Sequence, residues 1–155
     1  MSMKSAKPGI IFINPSITSE NNLSLGYVAA YVIKQGYQAK IIDFYRDKPS
    51  PASLRQLCLE FKPLLVGISA YQSNMYQVID AAKAIKRICN AKVILGGPQA
   101  LTMPEKSLLD LEDIDFLCRG EGEIISLALL KALEAKAKIE NVPGITYKTK
   151  NGEAV

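Results

Sequence analysis

The chain of 155 residues contains no histidine. Its three cysteines, Cys58, Cys89 and Cys118, are odd in number, widely spaced and form no C-x-x-C pair. A disulfide framework and a zinc site built from the protein's own side chains are therefore not expected, and the thiols read as reduced core residues. No apolar run approaches the roughly 18 residues that cross a bilayer. The opening Met1-Ser2-Met3-Lys4-Ser5 lacks the apolar stretch of a signal peptide, so a cytoplasmic protein without a membrane partner is expected. The net charge of +4 is dispersed; the cluster Lys131, Lys136, Lys138 is offset by Glu134 and Glu140. With no basic stripe interleaved with aromatics, nucleic acid is not an expected partner. Internal repeats and low-complexity stretches are also missing.

What remains is length for one core, enough to bury about 68–70% of the surface of the unfolded chain, and a regular alternation of short apolar runs with helical patterns. Gly9-Ile10-Ile11-Phe12-Ile13 is too short for a helix and rich in β-branched residues, and Asn14-Pro15 ends it: a first buried strand. Leu25, Val28, Ala29 and Val32 recur at helical spacing between Leu23 and Gln35, with Gly36 placed as a C-terminal cap. Ala39 to Asp43 gives a second strand. Pro49-Ser50-Pro51 opens a helix carrying Leu54, Leu57, Cys58 and Phe61 on one face, stopped by Pro63. Leu64 to Ser69 is a third strand, and Met75, Val78, Ile79, Ala82 and Ile85 mark a third helix. Lys92 to Gly96 is the fourth strand, followed by a short helix near Pro104 to Leu111. Asp115 to Cys118 is a fifth strand, and a last helix starts near Glu121 to Glu123 and buries Ile125, Ala128, Leu129 and Ala132. The tail Gly144-Ile145-Thr146-Tyr147 with a turn at Asn151-Gly152 reads as the start of a β-hairpin.

Strands that are apolar throughout, alternating with helices, predict an α/β fold: a flavodoxin-like (Rossmann-like) five-stranded parallel sheet, order 2-1-3-4-5, with helices on both faces. Ligands in such sheets bind at the carboxyl ends of the strands. There the sequence places Asn14-Pro15-Ser16-Ile17-Thr18-Ser19, Ser69-Ala70-Tyr71-Gln72-Ser73, Gly96-Gly97-Pro98-Gln99 and Arg119-Gly120-Glu121-Gly122-Glu123. Glycines at 96, 97, 120 and 122 allow close approach of a large ligand to the backbone, or simply make tight strand-to-helix turns. Ser69 faces a ligand or caps a turn. A dinucleotide site is excluded because no glycine-rich turn follows the first strand, although Asp43 stands where a ribose-binding acid could be. A receiver domain would need an acidic pair after strand one and an aspartate ending strand three; Asn14 and Ser69 stand there. Neither a P-loop nor a G-x-S-x-G elbow is present.

Five blocks in order resemble the amino-terminal cobalamin-binding domain of cobalamin-dependent radical S-adenosylmethionine (SAM) proteins, methyltransferases and porphyrin cyclases among them. They are Leu25 to Tyr31 with Gly36-Tyr37 and Asp43; Pro63 to Ser69; Gly96-Gly97-Pro98-Gln99-Ala100; Arg119-Gly120-Glu121-Gly122-Glu123; and Val142-Pro143-Gly144-Ile145-Thr146-Tyr147. Other cobalamin domains carry D-x-H-x-x-G, S-x-L and G-G segments, with the histidine under cobalt. Here those positions hold Asn21 for the aspartate, Leu23 for the histidine, Gly26, Ser69-Ala70-Tyr71 and Gly96-Gly97, which favours the histidine-less radical SAM branch. Gln99 stands where that branch commonly has a histidine.

The resemblance implies cobalamin bound base-off, the corrin on the loop edge and the dimethylbenzimidazole tail running between strands one and three or beside strand four. Gly96, Gly97, Gly120, Glu121 and Gly122 would let the tail pass, and Ser69 would offer it a hydroxyl. Asn14, Pro15, Ser16 and Leu23 would face the lower side of the corrin, where the cobalt position would be empty, water-filled or met by a loop residue such as Asn14 or Tyr71. Gly26, Ala70, Gln72, Pro98 and Gln99 complete the implied cofactor-binding set. Residues 1–140 would form the cobalamin-binding domain, and 141–155 would lead into a radical SAM domain of the same polypeptide. That domain would carry SAM and a 4Fe-4S cluster, since the C-x-x-x-C-x-x-C segment of such clusters is absent here. Catalysis by this chain alone is not expected. The alternative is a scaffold that has lost the cofactor and only packs against a neighbour.

Overall fold

A computed structural model describes residues 7–19 and 22–155; Asn21, the residue at the aspartate position, lies outside them. The sheet has six strands in the order β2-β1-β3-β4-β5-β6: β1 Gly9–Asn14, β2 Gln38–Asp43, β3 Leu65–Ser69, β4 Lys92–Gly96, β5 Phe116–Cys118 and β6 Ile145–Tyr147. The first five are parallel, in the expected order. Central strands β1 and β3 are buried along their whole length, as a sheet covered on both faces requires. Strand β2 departs from the expectation of apolar strands throughout. It lies at the edge, and only Ile42 of it is buried.

Side chains alternate across the strands and so divide the core in two. Helices α3 (Pro51–Phe61) and α4 (Met75–Ile88) cover Ile11, Ile13, Val66, Ile68, Val93 and Leu95. Helices α1 (Leu23–Lys34) and α6 (Gly122–Glu134) cover Ile10, Phe12, Leu65, Ile94 and Phe116. Full burial of each such side chain contributes roughly 1.5–3 kcal/mol. The apolar stripe of α4 is rotated from its expected position, with Ala81 buried and Ile79 exposed.

Three features depart further from the sequence expectation. The short helix near Pro104 is two pieces: α5 (Pro98–Thr102) and a 3-10 stretch, Glu105–Asp110. Pro104 forces the preceding Met103 into an extended conformation (ψ 144°), which ends the helix. A single turn, α2 (Phe44–Asp47), follows β2 because the Asp43 carboxylate accepts from the Arg46 N–H at 3.0 Å. Finally, the hairpin start is part of the sheet. β6 pairs antiparallel with β5, Leu117 opposite Thr146, and the chain then returns through a Lys148–Ala154 bridge. Among the described residues, no helix is long and apolar enough to cross a membrane.

Candidate functional site

The connections leaving β1 and β3 diverge to opposite faces, which opens a crevice at the carboxyl ends of the strands. Two depressions lie there. The first, about 270 Å³, sits between the sheet and helices α1 and α6. Phe12 and Ile94 form its floor, Leu25 and Val28 one wall, and Gly122 and Ser126 the other. The floor depends on Gly67: a Cβ there would lie 2.8 Å from the Phe12 ring, so only glycine in mid-strand lets the ring lie across β3.

The two glycines after β4 have different reasons. A Cβ on Gly96 would meet nothing within 4 Å, so the space in front of it is open. Gly97 has φ +88°, and a Cβ there would lie 2.7 Å from the Ala70 carbonyl oxygen. Its neighbours are laced to the same residue: the Ala70 N–H donates to Gly96 O at 2.8 Å and the Gln99 N–H to Ala70 O at 3.2 Å. Gly96 provides room, and Gly97 is required by the backbone. At the other wall a Cβ on Gly122 would stand 3.1 Å from Val28, so glycine lets α6 approach α1.

Ser69 lines the cleft, buried, and its hydroxyl accepts from Asn22 Nδ2 at 2.7 Å. Cys118 also lines the cleft. Burial first, with the nearby Glu123 and Glu121 charges, pushes its thiol up against the lowering influence of the Gly120 backbone, so it is a neutral, apolar part of the wall. Arg119 fixes the mouth. Its Nε donates to Thr146 Oγ1 at 2.9 Å, and one terminal nitrogen donates to the Ala100 and Met103 carbonyls, tying the loop after β5 to α5 and β6. Exposed Tyr27 and Leu101 flank the opening, with exposed Leu23 and Ile124 nearby on α1 and α6.

The second depression, about 370 Å³, is polar and lies between the loops after β1 and β3. Asn14, Ser16, Asn22, Tyr71, Asn74 and Gln77 contribute to it. Asn14 is buried, its Nδ2 donating to Asp43 at 2.9 Å and its Oδ1 accepting from the Ser16 N–H at 3.4 Å.

Of the expected site residues, Ser69, Gly96, Gly97, Gly120, Glu121 and Gly122 come together around the cleft, and Asn14, Ser16 and Tyr71 around the polar pocket. Pro15, Leu23, Gly26, Ala70, Gln72, Pro98 and Gln99 line neither. The sequence reading missed Phe12, Gly67, Ile94 and Cys118. Their signal was present: with Ser69 and Gly96 they occupy alternate strand positions, the side-chain period that puts residues on one face. Among the described residues, no cluster of acidic or cysteine side chains could hold a metal ion.

The sequence profile of the B12 binding domain matches residues 18–130. The chain belongs to the B12-binding domain family. It is 33% identical over 132 residues, 84% of its length, to an uncharacterized methyltransferase of Pyrococcus horikoshii. It is 30% identical over 136 residues, 81% of its length, to the anaerobic magnesium-protoporphyrin IX monomethyl ester cyclase of Cereibacter sphaeroides. It spans only 28% and 22% of those two proteins. Among solved structures, the radical SAM methyltransferase TsrM from Kitasatospora setae, with cobalamin and a 4Fe-4S cluster bound, matches with a TM-score of 0.83 at 19% identity, over 94% of this chain and 28% of that one. The cobalamin-dependent radical SAM enzyme OxsB, with aqua-cobalamin and SAM bound, matches with a TM-score of 0.73 at 21% identity, over 96% and 22%. This B12-binding domain is thus related to a methyltransferase and to a magnesium-protoporphyrin cyclase and shares its fold with radical SAM methyltransferases.

The residues present fit the cofactor. Cobalamin carries a flat, apolar benzimidazole on a long nucleotide tail. The apolar floor and the open space at Gly96 provide a slot that any side chain at that position would narrow.

Proposed function

We propose that this chain holds cobalamin base-off, with the nucleotide tail in the cleft between α1, α6 and the sheet and no histidine beneath the cobalt. The carrying observation is the open space before Gly96 above the Phe12–Ile94 floor. The buried Ser69 hydroxyl already accepts a hydrogen bond and keeps its own proton to donate to the tail. The exposed Leu23, Tyr27 and Leu101 offer apolar contact at the mouth.

The lower face follows from composition and geometry together. The sequence has no histidine, and Leu23, at that position, has no lone pair. The Asn14 amide is held at both ends by Asp43 and Ser16, which works against its turning to the cobalt; an empty position, water or Tyr71 remain.

In this reading residues 1–140 are the cofactor-holding unit, and 141–155 lead toward a radical SAM domain of the same polypeptide that binds SAM and a 4Fe-4S cluster. Bound cobalamin supplies a cobalt centre that can carry a methyl group. This chain's residues bind and orient the cofactor, and methyl transfer is the reaction class the relatives' names support.

Mixing the protein at tens of micromolar with hydroxocobalamin and desalting it should give a coloured protein fraction. After reduction, the cobalt(II) paramagnetic spectrum should lack nitrogen superhyperfine splitting. A colourless fraction overturns cofactor binding in favour of a scaffold that has lost it; splitting by nitrogen overturns the base-off, histidine-less mode.

A further inference from the structure

We propose that Cys58 and Cys89 are a paired modification site: a low-molecular-weight disulfide oxidises them to an intramolecular disulfide that staples the carboxyl ends of α3 and α4. The site lies at the end of the sheet opposite the cleft and does not depend on the cobalamin reading.

The fold makes the pair. Helix α3 joins β2 to β3 and α4 joins β3 to β4, all in one parallel array. Each helix runs back against the strand direction, so the two helices run side by side over one face of the sheet and end together at the amino ends of β3 and β4. Cys58 stands in the last turn of α3, its carbonyl accepting from the Lys62 N–H at 2.9 Å. Cys89 is the residue that ends α4, its N–H donating to Ile85 O at 2.9 Å. A few residues on, the two segments are already hydrogen-bonded to each other, the Lys92 N–H donating to Leu64 O at 3.0 Å. Both cysteines pack in the core that α3 and α4 share, and their thiols lie in side-chain contact. Cys118 belongs to the core on the other face of the sheet and has no part in the pair.

The two thiols are not equivalent, and the difference orders the chemistry. Cys89 is half-exposed, whereas Cys58 is buried. Burial and the neighbouring thiol push the Cys58 pKa up to about 12, so Cys58 does not react with reagents in solution. Cys89 therefore reacts first. Its thiolate, having lost its proton to solvent, attacks one sulfur of the small disulfide; a mixed disulfide forms and one small thiolate leaves to be protonated. The Cys58 sulfur then attacks the Cys89 sulfur, its proton passes to the second departing small thiolate, and the protein disulfide closes. Two protein thiols are oxidised and one small disulfide is reduced to two thiols. The second step is intramolecular, which offsets the low acidity of Cys58.

All three cysteines are free in this structure, so the disulfide is the oxidised alternative to a reduced resting state, the pattern of redox-responsive pairs in reducing compartments. Closing a loop of about 30 residues restricts the unfolded chain and raises the melting temperature.

The test incubates the cofactor-free protein with oxidised glutathione at about pH 8, near the ordinary thiol pKa, and follows intact mass, peptide map and melting. The expected product has lost two hydrogens, retains no glutathione, yields a Cys58–Cys89 cross-linked peptide and leaves Cys118 a thiol. Its melting temperature is higher by roughly 5–10 °C, and dithiothreitol reverses every change. Cys58→Ala should stop at the mixed disulfide, with glutathione held on Cys89, and Cys89→Ala should not react. The wild-type mass and map decide the pair without either variant. Glutathione retained on Cys89 of wild type with Cys58 still a thiol overturns the proposal, as does a wild type that does not react. A cross-link that forms only in urea, or that lowers the melting temperature, overturns it as well.

Discussion

Asn22 Nδ2 donates to the Ser69 hydroxyl at 2.7 Å while the oxygen of the same amide accepts from the Leu25 N–H at 3.3 Å. One side chain thus caps α1 and fastens its first turn to the end of β3. Asn22→Ala removes a helix cap, worth about 1 kcal/mol, and deprives a buried serine of its donor. A loss of about 1–3 kcal/mol in urea unfolding, at unchanged m-value, is expected, with weaker cobalamin binding. Unfolding indistinguishable from wild type would show that water replaces the amide without cost.

The two glycines after β4 should respond oppositely to substitution. Gly96→Leu projects into open space, so stability should stay within about 0.5 kcal/mol of wild type, while cobalamin affinity falls at least a hundredfold, about 2.8 kcal/mol. Gly97→Ala places a Cβ at positive φ against the Ala70 carbonyl and should lower stability by about 1–2 kcal/mol from backbone conformation alone, with more from the clash. Full cobalamin binding by Gly96→Leu would remove the cleft as the tail's site.

The strand order and the loop edge were legible because buried parallel strands are uninterrupted apolar runs. Gly36, at φ +84°, marks the end of α1 in the sequence as plainly as in the fold. β6 was less legible: three residues, Ile145–Tyr147, become a strand only through pairing with distant β5. The cleft floor was hidden for a related reason. Alternation shows that Phe12, Gly67 and Ile94 share a face, but the face that opens is set by where the crossovers put α1 and α6. Gln77 belongs to no sequence motif; it takes its place in a pocket because the loop after β1 lies across from it.

Thiol reactivity should single out one cysteine. Cys58 is buried in the α3–α4 core, where desolvation, followed by the neighbouring Cys89 thiol, pushes its pKa up to about 12. Burial pushes Cys118 up as well. Since the thiolate is the nucleophile, iodoacetamide at pH 8 should modify the half-exposed Cys89 first and the other two only on unfolding. Peptide mapping that finds Cys58 or Cys118 labelled early in the native protein would contradict this burial.

At the end of the sheet opposite the cleft, Asp115 ties β4 to α4, accepting from Lys86, from Lys92 at 2.9 Å and from the Val93 N–H at 2.8 Å. Burial, the largest single influence, works to raise its pKa. The hydrogen bonds from Lys86, Lys92 and Val93, with the Lys86 charge, together outweigh it and hold the carboxyl below its ordinary value. A carboxyl depressed in the folded state stabilises the fold above its unfolded pKa, about 3.9, and that contribution is lost as pH falls through the folded value. Asp115→Asn should therefore be less stable than wild type at pH 7, by about 1–3 kcal/mol. The gap should hold down to about pH 4 and close below it. Urea unfolding of both proteins from pH 7 to pH 2.5 measures this directly. A gap that stays constant across the range would mean that the amide loses the geometry of the site and that the charge contributes nothing.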